Sequence, residues 1–247
     1  MTLGGSSLAP VKEFWYPSYL PVNLKDYTVG DNFHRTTLNP TNAVALYTVV
    51  SASTGSAVIG TARDRLTLTT AAVLNDYEDV RITGVTFNRA WAGAFGAPVQ
   101  QITRLEQNII FTLGQVTDTE LYIGLYRSGS TSLTALPATT EHIGVKLDIS
   151  ASANLFLTSA NGAAEVTTDL GVAASTSVYY RLNIIHSGLN TASISVYNAV
   201  TGAQIGTTQA VTALGGIEDW TLDFFIKDEA AIATKITSIY WWNSKTT

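Results

Sequence analysis

Apolar and polar positions alternate with a period of two along most of the chain, in short runs broken by Gly, Asn or Ser clusters. Side chains that change sides at every residue belong to strands with one buried face. In Arg104–Leu113, the residues Leu105, Ile109, Phe111 and Leu113 share a face, and Leu121, Ile123 and Leu125 alternate with Tyr122, Gly124 and Tyr126. Ile143, Val145, Leu147 and Ile149 alternate with Gly144, Lys146 and Asp148. Asn154–Thr158 leads into Ala160-Asn161-Gly162-Ala163, a hairpin signal because Asn and Gly both accept positive φ. Tyr180, Leu182 and Ile184 form a further face, answered by Ile194 and Val196, and a tight turn at Thr201-Gly202 leads on to Gln204-Ile205. Trp220–Ile226 and Ile236–Trp242 are the last strands, while Ala43–Val50 and Asp79–Phe87 read as earlier ones. The only helix candidate beyond a Thr-rich stretch near residue 70 is a single turn at Asp228–Ala233, with acidic residues at its start. Short strands with turns between them predict an all-β sandwich or barrel.

Composition narrows the function classes. The chain has 247 residues, 13% charged and 46% apolar, which excludes a disordered protein. With 14 basic against 19 acidic residues the net charge is −5, so no basic footprint for nucleic acid is expected. The absence of cysteine excludes disulfides, thiolate metal sites and a cysteine nucleophile. No apolar run approaches the roughly 20 residues of a membrane helix, so no membrane partner is expected. Met1–Ser7 shows no positive region followed by an apolar stretch, and no secretory signal is expected there.

Residues 1–32 differ in kind from the rest. Phe14-Trp15-Tyr16-Pro17-Ser18-Tyr19-Leu20-Pro21 packs four rings between prolines, which disfavour central strand pairing. An extended N-terminal arm is expected, its rings buried against its own sandwich or against a neighbouring subunit. Residues 33–247 are expected to form one sandwich domain.

Three features from Arg104 to Asn243 carry a family resemblance. They are Glu141–Asp148 followed by Leu155-Phe156-Leu157, then Glu165–Val172 followed by Val178–Ile184, then Ile194–Asn198 with Gly202, Ile205-Gly206-Thr207 and Lys235–Tyr240. Together they resemble the concanavalin A-like jelly roll, particularly the copies found in bacteriophage and other viral structural proteins. The resemblance covers a little over half the chain and lies in pattern rather than in fixed residues. It implies two antiparallel sheets, with N- and C-terminal strands in one of them, so that Ile236–Trp241 would lie beside an early strand. It also implies a non-enzymatic structural protein of the virion, a homo-oligomer that decorates or cements a capsid, or a minor virion protein of a tail or spike, acting through contacts with capsid or other virion proteins. The alternative is a carbohydrate-binding module serving host attachment; a glycoside hydrolase ranks behind both.

Candidate chemistry is sparse. Hydrolases of this superfamily carry alternating acids, in an E-x-D-x-E arrangement, on one concave strand, because one carboxyl must protonate the leaving oxygen while another attacks or activates water. The nearest runs here are Asp76-Tyr77-Glu78-Asp79 and Glu218-Asp219. Flanked by Asn75, the Asp76–Glu78 run is expected to be a solvated turn. Glu106 and Asp148 fall out of phase with their apolar neighbours and are expected to face outward, available to sugar hydroxyls only if their face is the concave one. His34, His142 and His186 lack ligand spacing and are expected to be surface or loop residues, with no metal and no cofactor implied. Neither a G-x-S-x-G elbow nor a D-x-D-x-D-G loop occurs. In Tyr240-Trp241-Trp242, strict alternation sets Trp241 opposite the other two rings, leaving one side as a platform for a sugar, a subunit or the arm. Trp91 is expected to pack within its small-residue loop. The partner-binding candidates are therefore Phe14, Trp15, Tyr16, Tyr19, Trp241 and Trp242, the aromatic type that dominates interface energetics.

Overall fold

A computed structural model of the chain describes residues 28–31, 47–59, 65–82, 87–88, 104–127, 131–187, 191–212, 214, 219–230 and 234–246. The strands are β1 (Thr28–Asp31), β2 (Tyr47–Ser51), β3 (Ser56–Ile59), β4 (Leu66–Thr69), β5 (Tyr77–Ile82), β6 (Phe87–Asn88), β7 (Arg104–Leu113) and β8 (Thr119–Arg127). They continue as β9 (His142–Asp148), β10 (Asn154–Ala160), β11 (Glu165–Ala173), β12 (Tyr180–Ser187), β13 (Ala192–Asn198), β14 (Gln204–Val211), β15 (Asp219–Asp228) and β16 (Ile236–Thr246). Among the described residues there is no helix. The turn expected from Asp228 gives way because β15 runs through that residue, paired with Thr119 of β8.

Two antiparallel sheets form a sandwich. Sheet A runs β14-β13-β12-β7-β16-β4-β3, and sheet B runs β11-β10-β9-β8-β15-β5-β2. The C-terminal strand β16 pairs with β7 on one side and with both β4 and β1 on the other, as the family pattern implies. Residues 28–31, within the segment read as an arm, are thus a strand of sheet A. The Asn161-Gly162 and Thr201-Gly202 turns join β10 to β11 and β13 to β14, with φ of +89° and +75° at the two glycines.

The period-two pattern explains the core. Leu66, Leu68, Ile109, Phe111, Leu182, Ile184, Ile194, Val196 and Ile239 line the inner side of sheet A. Val80, Ile82, Leu121, Ile123, Leu125, Val145, Leu147, Leu157, Leu222 and Phe224 answer from sheet B. Each such side chain contributes about 1.5–3 kcal/mol by leaving water. One flank closes where Gly206 of β14 lets Leu170 of β11 approach: a Cβ there would stand 2.7 Å from the Leu170 carbonyl oxygen. Gln209 ties the same flank by donating from Nε2 to Ser159 Oγ at 2.9 Å and to the Val166 carbonyl at 3.2 Å.

The outer side of sheet B is covered as well. Tyr122, Tyr126 and Phe225 form a second apolar cluster with Leu133, which belongs to the segment between β8 and β9. This cover decides the fate of the polar residues on that face.

Candidate functional site

The acidic run near residue 76 is buried rather than solvated, contrary to the sequence expectation. Asp76, Glu78 and Asp79 are each at most 1% exposed. Asp79 and Arg81 lie on the outer face of β5, and Arg81 pairs in register with Asp223 of β15. The Arg81 Nε lies 2.8 Å from Asp223 Oδ2 and 3.3 Å from Asp79 Oδ2. Its guanidinium also sits 4.8 Å from the centre of the Tyr126 ring. The Leu133 N–H donates to Asp79 Oδ2 at 2.9 Å, fastening the β8–β9 segment over the group. Burial, then the neighbouring Asp79 carboxylate, pushes the Asp223 carboxyl well above the usual range. One guanidinium between two buried carboxyls is a structural anchor, closed to a substrate by Leu133 and Tyr126.

Glu78 points the other way, toward the end of the sandwich. Ser51 Oγ donates to its Oε2 at 2.6 Å, and Gly55 packs on the carboxyl so closely that a Cβ would collide with Oε1. Burial raises Glu78 to about 7; the Ser51 hydrogen bond opposes this, and the Asp76 and Asp79 charges add to it. Lys235 and Asp228, both fully buried, meet nearby at 3.4 Å.

Both described histidines are buried in strands, not at the surface or in loops as the sequence reading expected. His34 lies outside the described residues. His142 starts β9 on the covered face of sheet B, its ring edge-on to Tyr122 at 5.7 Å. Its Nδ1 lies 2.7 Å from the Thr140 carbonyl and its Nε2 2.8 Å from Thr158 Oγ1. Thr158 donates to Glu165 Oε1 at 2.6 Å, and Lys146 Nζ donates to both carboxylate oxygens at 2.7 and 2.8 Å. Burial works to raise Glu165, but the His142 ring 3.7 Å away and hydrogen bonds from Lys146 and Thr158 prevail and hold it at about 2. His186 is in the sandwich interior, 6.3 Å from the Trp220 ring.

The outer face of sheet A is different, because no apolar cluster of described residues covers it. Glu106 and Asn108 are there on β7, out of phase with Ile109 and Phe111 as expected, and Asn183 Nδ2 bridges them with hydrogen bonds of 2.9 and 3.0 Å. Next to this polar row lies an aromatic one. Tyr180 turns inward and stacks on Phe111 at 5.3 Å, so its neighbour Tyr179 turns outward and is 41% exposed. The Tyr179 ring meets Tyr240 of β16 at 5.2 Å, and the Arg65 guanidinium sits 5.7 Å from the Tyr240 ring centre. On the next strands Arg181 lies 4.7 Å from the ring of its cross-strand partner Tyr197. Thr67 and Ser238 hydroxyls flank the group, 3.5 Å apart.

A bulge creates this arrangement. Ile239 pairs with Phe111 and Trp241 pairs with Ile110, so Tyr240 is an extra residue with no partner on β7. The register of β16 against β7 therefore shifts by one residue at Tyr240. Trp241 and Trp242 occupy β16 opposite Ile110 and Ile109, whereas Phe14, Trp15, Tyr16, Tyr19 and Trp91 lie outside the described residues. Arg65, Tyr179, Arg181 and Tyr197 were missed as site residues. The inward phase of Tyr180 and Leu182 implies that Tyr179 and Arg181 face outward, but only the register brings Tyr197 and Tyr240 to them.

These features define a class by fold: two antiparallel sheets packed as a concanavalin A-like jelly-roll sandwich. Its relatives in structure include a protein of unknown function from Shewanella oneidensis MR-1, with a TM-score of 0.62 at 15% identity over 92% of this chain and 89% of that one. Lectin UEA-II, in complex with galactose, matches with a TM-score of 0.59 at 10% identity, covering 90% and 99% of the two chains. A legume lectin-like domain from Entamoeba histolytica matches with a TM-score of 0.56 at 8% identity, covering 80% and 88%. No protein-family model matches the sequence, and no curated protein does.

Proposed function

We propose that this protein is a non-enzymatic recognition module that binds carbohydrate on the outer face of sheet A. The observation that carries the reading is the Tyr179 ring, 41% exposed and braced against Tyr240 at 5.2 Å. A sugar ring offers an apolar C–H face to such a pair and hydroxyls to neighbours of the Thr67 and Ser238 kind. A rigid sheet presents these groups with little ordering cost on binding. The sandwich is also the scaffold of lectins crystallised with galactose and with a methyl fucoside. Against hydrolysis stands the state of the buried acids: Asp79 and Asp223 are held by Arg81 beneath Leu133, with no room for a glycosidic bond between them. The test is a glycan array probed with the full chain and with Tyr179→Ala. Binding to one or more saccharides that is lost in the variant supports the reading; no hit on the array removes it.

A second reading, a structural component of a virus particle that grips capsid proteins or copies of itself, comes from the sequence resemblance, and a separate observation fits the contact between copies. Val166 and Val172 on edge strand β11 are 56% and 52% exposed, and Val58 on edge strand β3 is 50% exposed. Exposed apolar side chains on the outermost described strands of a sheet invite contact with another chain. The sequence resemblance and the rings of Phe14, Trp15, Tyr16 and Tyr19 support the same role, with the virion as its location. Light scattering on the full chain and on a truncation lacking residues 1–22 tests it. A multimer that dissociates into folded monomers on truncation supports the role, and a monomer in both cases contradicts it.

A further inference from the structure

Arg181 adds a positive charge to the sheet A surface. It projects from the outer face of β12, two residues from Tyr179 and two from Asn183, with its guanidinium 4.7 Å from the Tyr197 ring centre. No carboxylate pairs with it among the described residues, and its Nε is buried without a hydrogen-bond partner. Glu106, a carboxylate on the same face, stands in register with Ile185, four residues further along β12. That spacing is about 13 Å at ~3.3 Å per residue, beyond the ~8 Å screening length of physiological salt. Glu106 is moreover engaged by Asn183 and Asn108, at 2.9 and 3.1 Å. In a chain of net charge −5, a guanidinium with no carboxylate partner among the described residues, beside the exposed Tyr179 ring, is a local inversion of sign.

We infer that the ligand of this face is an anionic saccharide, a pyranose that bears a carboxylate, with its ring on Tyr179 and Tyr240 and its carboxylate on Arg181. The inference rests on the reading that this face binds carbohydrate, and it adds the chemical class. A guanidinium offers a planar fork of N–H donors that matches a carboxylate, and Tyr197 holds that plane in place from behind. A neutral sugar would leave the charge unmatched. Uronic and sialic acids share the required chemistry.

The experiment titrates the full chain, by calorimetry and by NMR, with methyl β-D-glucuronide, methyl β-D-glucoside and the methyl α-glycoside of N-acetylneuraminic acid. One of the two acidic glycosides is expected to bind about tenfold or more tighter than the glucoside, the gain of a charge-assisted hydrogen bond. In Arg181→Gln, checked for folding by circular dichroism, that preference should vanish while weak binding persists. Which of the two acids wins distinguishes uronate from sialate. Equal binding of acidic and neutral glycosides, or an undiminished preference in Arg181→Gln, overturns the inference and leaves the carbohydrate reading standing. Failure of all three glycosides, together with an array devoid of hits, overturns both.

Discussion

Arg81 Nε lies 2.8 Å from Asp223 Oδ2 across the β5–β15 ladder, with both side chains buried under Leu133 and Tyr126. Removing the cation leaves two buried carboxyls, Asp79 and Asp223, with no counter-charge. Arg81→Met is therefore expected to cost about 3–5 kcal/mol, the usual penalty for breaking a buried pair from one side. Urea unfolding of the variant against the parent measures it; a loss below about 1 kcal/mol would mean water reaches the group.

Glu78 gives stability a pH dependence of unusual sign. Its folded carboxyl titrates at about 7, against 4.5 in the unfolded chain. Between those values the unfolded state ionises and the folded state does not, so this group lowers stability as pH rises from 4.5 to 7, by on the order of 3 kcal/mol. Glu78→Gln keeps an acceptor for Ser51 and should remove that decline, making the variant more stable than the parent at pH 8. Stability curves of parent and variant that stay parallel over this range would contradict it.

Glu165 works in the opposite direction. Its carboxyl is held at about 2 when folded, against 4.5 when unfolded, so its contribution is complete above pH 4.5 and disappears as pH falls toward 2. Glu165→Gln should unfold less steeply than the parent over that acid range while being less stable at neutral pH. Identical acid transitions for the two proteins would show that Lys146, Thr158 and His142 do not hold the charge.

Gly144 and Gly124 pair in register on β9 and β8, and the Tyr122 ring crosses above them. A Cβ on Gly144 would strike the Ile123 carbonyl and stand 2.9 Å from Gly124 Cα and 3.0 Å from Tyr122 Cε2. Gly144→Ala should accordingly cost about 1–3 kcal/mol through displacement of Tyr122, whose hydroxyl donates to the Leu125 carbonyl at 2.6 Å. Thermal unfolding of the variant checks this, and an unchanged melting temperature would refute it.

The strands were legible in the sequence wherever one side of a strand is wet. β7 and β12 show their inner residues by simple alternation, and the Asn161-Gly162 turn marks itself because its chemistry is local. Sheet B defeated the same logic. Its outer residues Asp79 and Arg81 look solvent-facing in sequence, but the segment that carries Leu133 bonds to Asp79 and packs on the tyrosines beside them. Burial by a distant segment leaves no periodic trace. The aromatic site was half legible: the outward phase of Tyr179 follows from Tyr180, whereas the bulge at Tyr240 depends on its pairing with β7 and has no signature in Ser238-Ile239-Tyr240-Trp241.

Carbohydrate binding at the tyrosine pair is tested most directly by recording the NMR signals of Tyr179 and Tyr240 while adding a saccharide that scores on a glycan array. Ring signals of both residues should shift together and saturably, and Tyr179→Ala should abolish binding without lowering the melting temperature. Saturable binding that moves signals only elsewhere, or that survives Tyr179→Ala unchanged, would contradict it.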